Sequence, residues 1–266
     1  MKSATPIVIH IPHASRRIPH DIRGAILLSD SELEEELAKV TDTYADELFK
    51  IDAAGAQTVI FPVSRLVLDP ERFLDDEKEI MAASGMGVIY TRTSDGRQLR
   101  QPPTDEVRAA LINRYYRPHH EKLEACVSDC LQSSGRCLVV DCHSFPSVAL
   151  PYELDQSADR PDICIGTDSF HTPKWLIDTM RVGFEKFGYS TAVNKPFAGS
   201  IVPMAFNHKE ASVECIMIEV NRKLYMDEST CVKSAGFHSV KRHLSLILKE
   251  IGDILYCGYQ AKTFFA

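Results

Sequence analysis

Cys137-Leu-Val-Val-Asp-Cys-His-Ser144 decides how the chain is read. Residues 137–141 form a short apolar run, the signature of a buried strand, and polar, metal-competent groups begin where it ends. The pattern recurs in Pro6-Ile-Val-Ile-His-Ile11, which Pro12 closes just before His13. It recurs again in Asp162-Ile-Cys-Ile-Gly166 and in Val213-Glu-Cys-Ile-Met-Ile-Glu219, which ends on a glutamate. Weaker strands are expected at 57–61, 64–69 and 88–91. Between them lie helical stretches. Ser29 to Ala54 carries Leu33, Leu37, Val40, Tyr44 and Leu48 at three- and four-residue steps, with Ser29 or Ser31 as cap, Glu32 or Glu34 as capping-box partner and Gly55 as stop. Thr104 to Ser133 reads as a long helix interrupted at Pro118, Pro173 to Phe187 as one capped by Gly188, and Lys233 to Leu255 as the last. Strands alternating with helices of this length imply an α/β fold, a mixed and mostly parallel sheet with helices on both faces. No repeat or linker divides the 266 residues, so a single domain over 1–266 is expected.

Composition narrows the function classes. Thirty basic against thirty-seven acidic residues, a formal charge of −7, argue against nucleic acid or an anionic membrane surface, both of which select a basic face. No apolar run reaches the roughly 18–20 residues of a membrane span, and Met1 to Pro12 lacks the features of a secretory signal. The eight cysteines, at 126, 130, 137, 142, 164, 215, 231 and 257, contain no Cys-x-x-Cys spacing. Reduced thiols in a cytoplasmic protein are expected. The stretch from Pro70 to Pro103, with little periodicity, is read as a long excursion over one face.

His13, His143 and Glu219 each stand where an apolar strand runs out. Ligand crevices in open α/β sheets lie outside the carboxyl ends of strands, so the three suggest one shared metal or acid–base site. A zinc hydrolase needs about three protein ligands and one open position. His13 and His143 offer imidazoles, and Asp42 offers a carboxylate, although an acid off the apolar stripe is also a common solvated residue. Glu219, ending so apolar a strand, is desolvated and suits the activation of water. Asp141 could orient His143 or cap a loop. Arg65, Arg72 and Arg222 suit a substrate bearing carboxylates, or surface salt bridges.

Seven segments, in order, resemble the N-formylglutamate amidohydrolase family: His10-Ile-Pro-His-Ala-Ser with Ile18-Pro19, Thr41-Asp42, Ser64-Arg-Leu-Val-Leu-Asp with Arg72, Asp141-Cys-His-Ser144, Asp162-Ile-Cys-Ile-Gly-Thr167, Asn194-Lys-Pro-Phe-Ala-Gly199, and Ile218-Glu-Val-Asn-Arg-Lys-Leu-Tyr-Met-Asp227. The resemblance implies a relative of the zinc carboxypeptidases and aspartoacylases with one Zn2+ ion. Its implied activity is hydrolysis of N-formyl-L-glutamate to formate and L-glutamate, as in histidine degradation. By position it implies His13, His143 and Asp42 as metal ligands, with Asp46 as the fallback for Asp42. It further implies Glu219 as general base, Arg65 at the carbonyl or oxyanion, Arg72 on a substrate carboxylate, and Asn194 and Arg222 lining the pocket. The family usually reads Asp-Leu-Asn-Arg where this chain has Asp69-Pro-Glu-Arg72. Glu71 therefore turns away, or the substrate differs.

Other readings stay open. One is an amidase, deacylase or peptidase-like enzyme on another N-acyl acidic amino acid or peptide amide. Another is a non-catalytic binding protein on the same fold. A metal-free hydrolase using Cys142 or Ser144 lacks the Gly-x-Ser-x-Gly elbow. The expected partner is a small anionic N-acyl amino acid, and a homo-oligomer stays open. His119 and His120 are read as packing residues, with His120 the better outside candidate, and His171, His208, His238 and His243 as surface or helix-face residues.

Overall fold

The computed structural model describes residues 6–51 and 56–263, with side chains of the last helix described as far as Leu255. Gly55, the expected helix stop, and the Cys257 side chain lie outside the described residues.

In chain order come β1 (Ile7–Ile11), α1 (His20–Arg23), α2 (Asp30–Val40), α3 (Ala45–Leu48) and β2 (Gln57–Ile60). Then follow α4 (Asp105–Leu111), α5 (Arg117–Ser134), β3 (Cys137–Phe145), β4 (Ile163–Gly166), α6 (Lys174–Glu185), β5 (Thr191–Val193) and β6 (Val213–Asn221). A short antiparallel pair, β7 (Met226–Asp227) and β8 (Val232–Lys233), precedes the last helix, α7 (Phe237–Thr263). The main sheet runs β2-β1-β3-β6-β4-β5. All its pairs are parallel except β4 against β6. This is the expected α/β architecture.

Side-chain alternation assigns each strand residue to a layer. Ile7, Ile9 and Ile11 of β1, Leu138, Val140 and Cys142 of β3, and Ile216, Ile218 and Val220 of β6 share one core with α3, α6 and α7. Val8, Val139, Cys137, Val213 and Cys215 face the other way, against Leu123, Cys126, Val127 and Cys130 of α5. On that second face the apolar pattern gives way toward the carboxyl ends of the strands to His10, Asp141, His143 and Glu219, all buried. Register sets them side by side, His10 against Asp141 and His143 against Glu219.

Several expected boundaries differ. His143 and Glu219 lie inside β3 and β6, each two residues from its end, not beyond them. The expected helix from Ser29 to Ala54 is two helices. The Ser29–Glu32 capping box is present, but α2 ends at Val40, Thr41 is extended, and Tyr44 sits at φ 67°. Left-handed backbone at a non-glycine residue is unfavourable, and here tertiary bonds hold it: Asp42 N–H donates to His13 O at 3.0 Å and Tyr225 OH to Thr43 O at 3.0 Å.

Residues 64–69 form turns rather than a strand, because Leu66 packs into one cluster while Val67 and Leu68 pack into another. No strand forms at 88–91 either, where Asp69 N–H takes the Val88 carbonyl and Thr91 N–H takes that of Gly85. Pro118 does not interrupt the long helix. A π-type turn over Ile112–Tyr116, closed by Arg117 N–H on Ile112 O, precedes the proline, which then falls in the first turn of α5, where no donor is needed. His171 is buried rather than a surface residue: its Nδ1 pairs with Val213 O at 2.6 Å and its Nε2 accepts from His208 N–H at 2.8 Å. Gly166 is needed for close approach, since a Cβ there would collide with Gly199 O and Met217. That approach seats the 196–202 loop over β4 and β6 and brings Ile201 N–H to Asp141 Oδ2 at 3.3 Å.

Candidate functional site

His13 hangs from the bend after β1, and His143 projects from β3 on the α5 face. Their Nδ1 atoms face each other at 3.3 Å. Asp42 Oδ2 lies 3.2 Å from His143 Nδ1 and 3.8 Å from His13 Nδ1. The break between α2 and α3 turns Asp42 inward to reach them. Asp46, the fallback, is exposed.

The far nitrogens of both rings are held by buried carboxylates. His13 Nε2 is 2.9 Å from Asp69 Oδ1, and His143 Nε2 is 3.0 Å from Asp141 Oδ1. Asp141 Oδ1 is also 2.9 Å from His10 Nδ1, whose Nε2 meets His119 Nε2 at 2.8 Å. Asp69 in turn accepts from Arg65 Nη2 at 2.7 Å, Tyr90 OH at 2.5 Å and Glu71 N–H at 3.0 Å. Each imidazole thus has one nitrogen fixed by a carboxylate and the other presented to Asp42, as metal-ligating histidines require.

Donor spacing fits as well. Zinc bonded at 2.0–2.1 Å in a tetrahedron sets its ligand atoms about 3.3 Å apart, close to the separations among His13 Nδ1, His143 Nδ1 and Asp42 Oδ2. Charge points the same way. Of the four carboxylates that touch the two histidines, Arg65 offsets Asp69 and Arg222 offsets Asp42, while among the described residues Asp141 and Glu71 have no ionic partner but imidazoles. Burial opposes charge on His143, yet Glu71 and Asp141 push its pKa well above the ordinary value. The site therefore attracts positive charge between its rings.

Glu71 does not turn away. Its Oε2 lies 3.3 Å from His143 Nε2 and 3.7 Å from His13 Nε2, and its Oε1 lies 3.7 Å from His10 Nδ1. Donor atoms of His13, Glu71 and His143 fall within 4.8 Å of one another, as do those of His10, Glu71 and Asp141. Glu71 is thus a second carboxylate within ligand range, on the Nε2 side.

Glu219 stands beside His143 across the β3–β6 pair and is buried. Its Oε2 makes no hydrogen bond among the described residues. Burial, with the Asp42 charge adding to it, pushes its carboxyl up to about 8 against the pull of His143. Burial alone would raise Asp42 too, but its hydrogen bond to His143 and the nearby cations bring it down to about 2. The two acids, in one pocket, are tuned in opposite directions.

The arginines separate. Arg65 gives Nε and Nη2 to Asp69, with Nε also 3.0 Å from Tyr90 OH, and keeps Nη1 unengaged among the described residues. Arg72 makes one weak bond, Nε to Met86 O at 3.3 Å, and lies 3.9 Å from Asp69. Arg222 is buried and fully engaged with Asp42 Oδ1 at 3.2 Å, Lys39 O at 2.6 Å, and Ser144. It fixes Asp42. Asn194 is exposed, paired with Thr167, and makes no contact with the histidine cluster.

His120 Nε2 donates to Pro70 O at 2.8 Å, and its ring lies against that of Tyr116. His119 is buried against His10 and Phe61, and burial, with neighbouring cations adding, lowers its pKa to about 2. His10, His119, Asp69 and Glu71 were not singled out as site residues from sequence. For His10 a signal existed: it is the polar residue in the otherwise apolar run Ile7–Ile11.

The chain matches the model of a family described as N-formylglutamate amidohydrolase over residues 5–226. It is 25% identical over 230 residues to the N-formylglutamate deformylase of Pseudomonas putida, covering 84% of this chain and 83% of that protein. The crystal structure of N-formylglutamate amidohydrolase from Ralstonia eutropha JMP134 superposes with a TM-score of 0.83 at 25% identity, covering 96% of both chains. A gene product of Agrobacterium tumefaciens, 20% identical, shares the fold with a TM-score of 0.64 over 92% of this chain and 91% of its own.

Proposed function

The chain belongs to the N-formylglutamate amidohydrolase family, and from that premise we propose that it is a zinc-dependent hydrolase of N-formyl-L-glutamate, releasing formate and L-glutamate, with residues 1–266 acting as one domain. The observation that carries this reading is the convergence of His13 Nδ1, His143 Nδ1 and Asp42 Oδ2, each imidazole backed by its own carboxylate. These three side chains would hold the ion. A zinc ion there supplies Lewis acidity toward water and carbonyl oxygen.

The chain's own groups do the rest. Glu219, with a free oxygen and a raised pKa, takes the proton of the attacking water and returns it to the leaving amine as the C–N bond breaks. A cation nearby would draw its pKa down toward neutrality, where a carboxyl can serve as both base and acid. Arg65 Nη1 donates to the oxyanion that develops on the acyl oxygen, because Asp69 and Tyr90 fix the remainder of the guanidinium. Arg72, loosely held, binds a substrate carboxylate. Arg222 holds Asp42 in place.

Glu71 favours a second reading of the substrate. An unbonded carboxylate at 3.3 Å from His143 Nε2 disfavours an anion at that point, so a different N-acyl amino acid is the runner-up. Zinc-loaded protein assayed on N-formyl, N-acetyl and peptide amides separates the two. Formate release from N-formyl-L-glutamate at the highest kcat/KM supports the first. A preference for another acyl group supports the second, and no hydrolysis of any member contradicts both.

A further inference from the structure

An N-acyl acidic amino acid carries two carboxylates, and the residues assigned above provide for one. The connection between β3 and β4 bridges the end of β6, the strand between them, and carries Arg160. The Arg160 side chain is 2% exposed. Its guanidinium lies over the Phe145 ring at 5.0 Å and the Phe197 ring at 5.5 Å, and the two rings meet edge to face.

None of its nitrogens, Nε, Nη1 or Nη2, makes a hydrogen bond among the described residues. Glu153 Oε2 is 2.7 Å from Nη2 but outside hydrogen-bonding geometry, so that oxygen is unpartnered too. Glu153 Oε1 accepts from Leu150 N–H at 3.0 Å. A guanidinium has five donors in a plane, and here Glu153 balances the charge without taking a hydrogen bond, so the buried donors are left for a ligand to use.

The position is next to the chemistry. Phe145 is two residues beyond His143 on the same face of β3. Cys164, whose thiol donates to Phe197 O at 3.1 Å, pairs in register with Glu219. Arg65 and Arg72 gather around Asp69 at His13, on the β1 side of the histidines, and Arg160 lies on the β6 and β4 side. Arg65 and Arg72 are thus grouped at Asp69, and Arg160 stands apart from them at Phe145 and Phe197.

We propose that Arg160, held between Phe145 and Phe197, is the specificity-determining residue that binds the second carboxylate of a dicarboxylic substrate, with Glu153 occupying the place of that carboxylate in the free protein. Glu153 adjoins Leu154, which is 81% exposed, so an outward turn of its side chain opens the way from solvent. The inference rests on the reading of this chain as a hydrolase of N-acyl acidic amino acids.

The test compares N-formyl-L-glutamate with N-formyl-L-glutamine, an isostere that keeps the α-carboxylate and has an uncharged side chain. Affinities come from calorimetry on zinc-loaded chains carrying Glu219→Gln, and kcat and KM come from chains with Glu219 intact. The double substitution Arg160→Met with Glu153→Met removes both buried charges together. It should weaken N-formyl-L-glutamate by about 10- to 100-fold through KM and leave N-formyl-L-glutamine within about threefold. Glu153→Gln alone should tighten N-formyl-L-glutamate and decides the matter if the double variant does not fold.

An unchanged glutamate-to-glutamine ratio in the double variant, or equal losses for both compounds, overturns the inference and leaves the hydrolase reading standing. A Glu153→Gln chain with unaltered glutamate affinity also overturns it. A chain with intact Glu153, Arg160 and Glu219 that hydrolyses neither compound removes the hydrolase reading and this inference together.

Discussion

The two faces of the central sheet are built from the same strands and differ by one residue in phase. In β3, Leu138, Val140 and Cys142 enter an apolar core with α6 and α7, while Val139, Asp141 and His143 point toward α5. In β6, Ile216 and Ile218 face the first core and Glu219 the second side. One face is hydrophobic through its centre, from Leu138 to Cys142 in β3 and from Ile216 to Val220 in β6. The other is hydrophobic only as far as Asp141, and from there it is lined by acids and imidazoles buried as deeply as the core. Burial of that many ionisable groups is tolerated only when they are paired or hold a metal. The apolar face supplies the stability, and the polar face converts part of it into a strained electrostatic environment.

That contrast breaks cleanly under substitution. His143→Ala should abolish metal binding and with it nearly all turnover, and a fully loaded, active variant would show that the polar face is only structural. Glu219→Gln should keep the metal and lower kcat by about 10²–10⁴-fold, as metal analysis and steady-state kinetics on one preparation will show. Ile218→Ala, one residue away on the apolar face, should do the reverse. Chemical denaturation should find a loss of about 2–5 kcal/mol, with kcat little changed for the folded fraction.

A further effect concerns pH. In chelator-treated protein the Glu219 pKa rises from 4.5 to about 8 on folding. Its contribution to stability is therefore full below about pH 4.5 and is lost as pH rises through about 8. Relative to the unsubstituted protein, metal-free Glu219→Gln should gain stability between those limits, and a difference that does not vary with pH would contradict the raised pKa.

Much of this contrast was legible before the structure. The strands announced themselves because they are short, apolar and β-branched, and the polar residues that interrupt them marked the site. His13, His143, Asp42 and Glu219 do converge. What the sequence did not show is where tertiary bonds override local preference. The α2–α3 break depends on His13 O and Tyr225, and no local pattern shows that Tyr44 leaves the helix. Leu66-Val67-Leu68 looks like a strand because it is apolar, yet it is a turn packed between two clusters. Arg222 reads in the sequence as a pocket-lining residue, and only the fold reveals that it also holds Asp42 and a backbone carbonyl. Glu71 was recognised as unusual, but only the fold reveals that it faces the histidines. Arg160 gave no signal, since a buried arginine without hydrogen bonds cannot be told from a surface one by its neighbours in sequence.

No helix among the described residues is long and apolar enough to cross a membrane. An anomalous difference map recorded on either side of the zinc absorption edge tests the account most directly. It should show one peak about 2.0–2.2 Å from His13 Nδ1, His143 Nδ1 and Asp42 Oδ2, with Glu219 close by and unligated. A peak bound through the Nε2 atoms together with Glu71, or no peak in crystals grown with zinc, would contradict it.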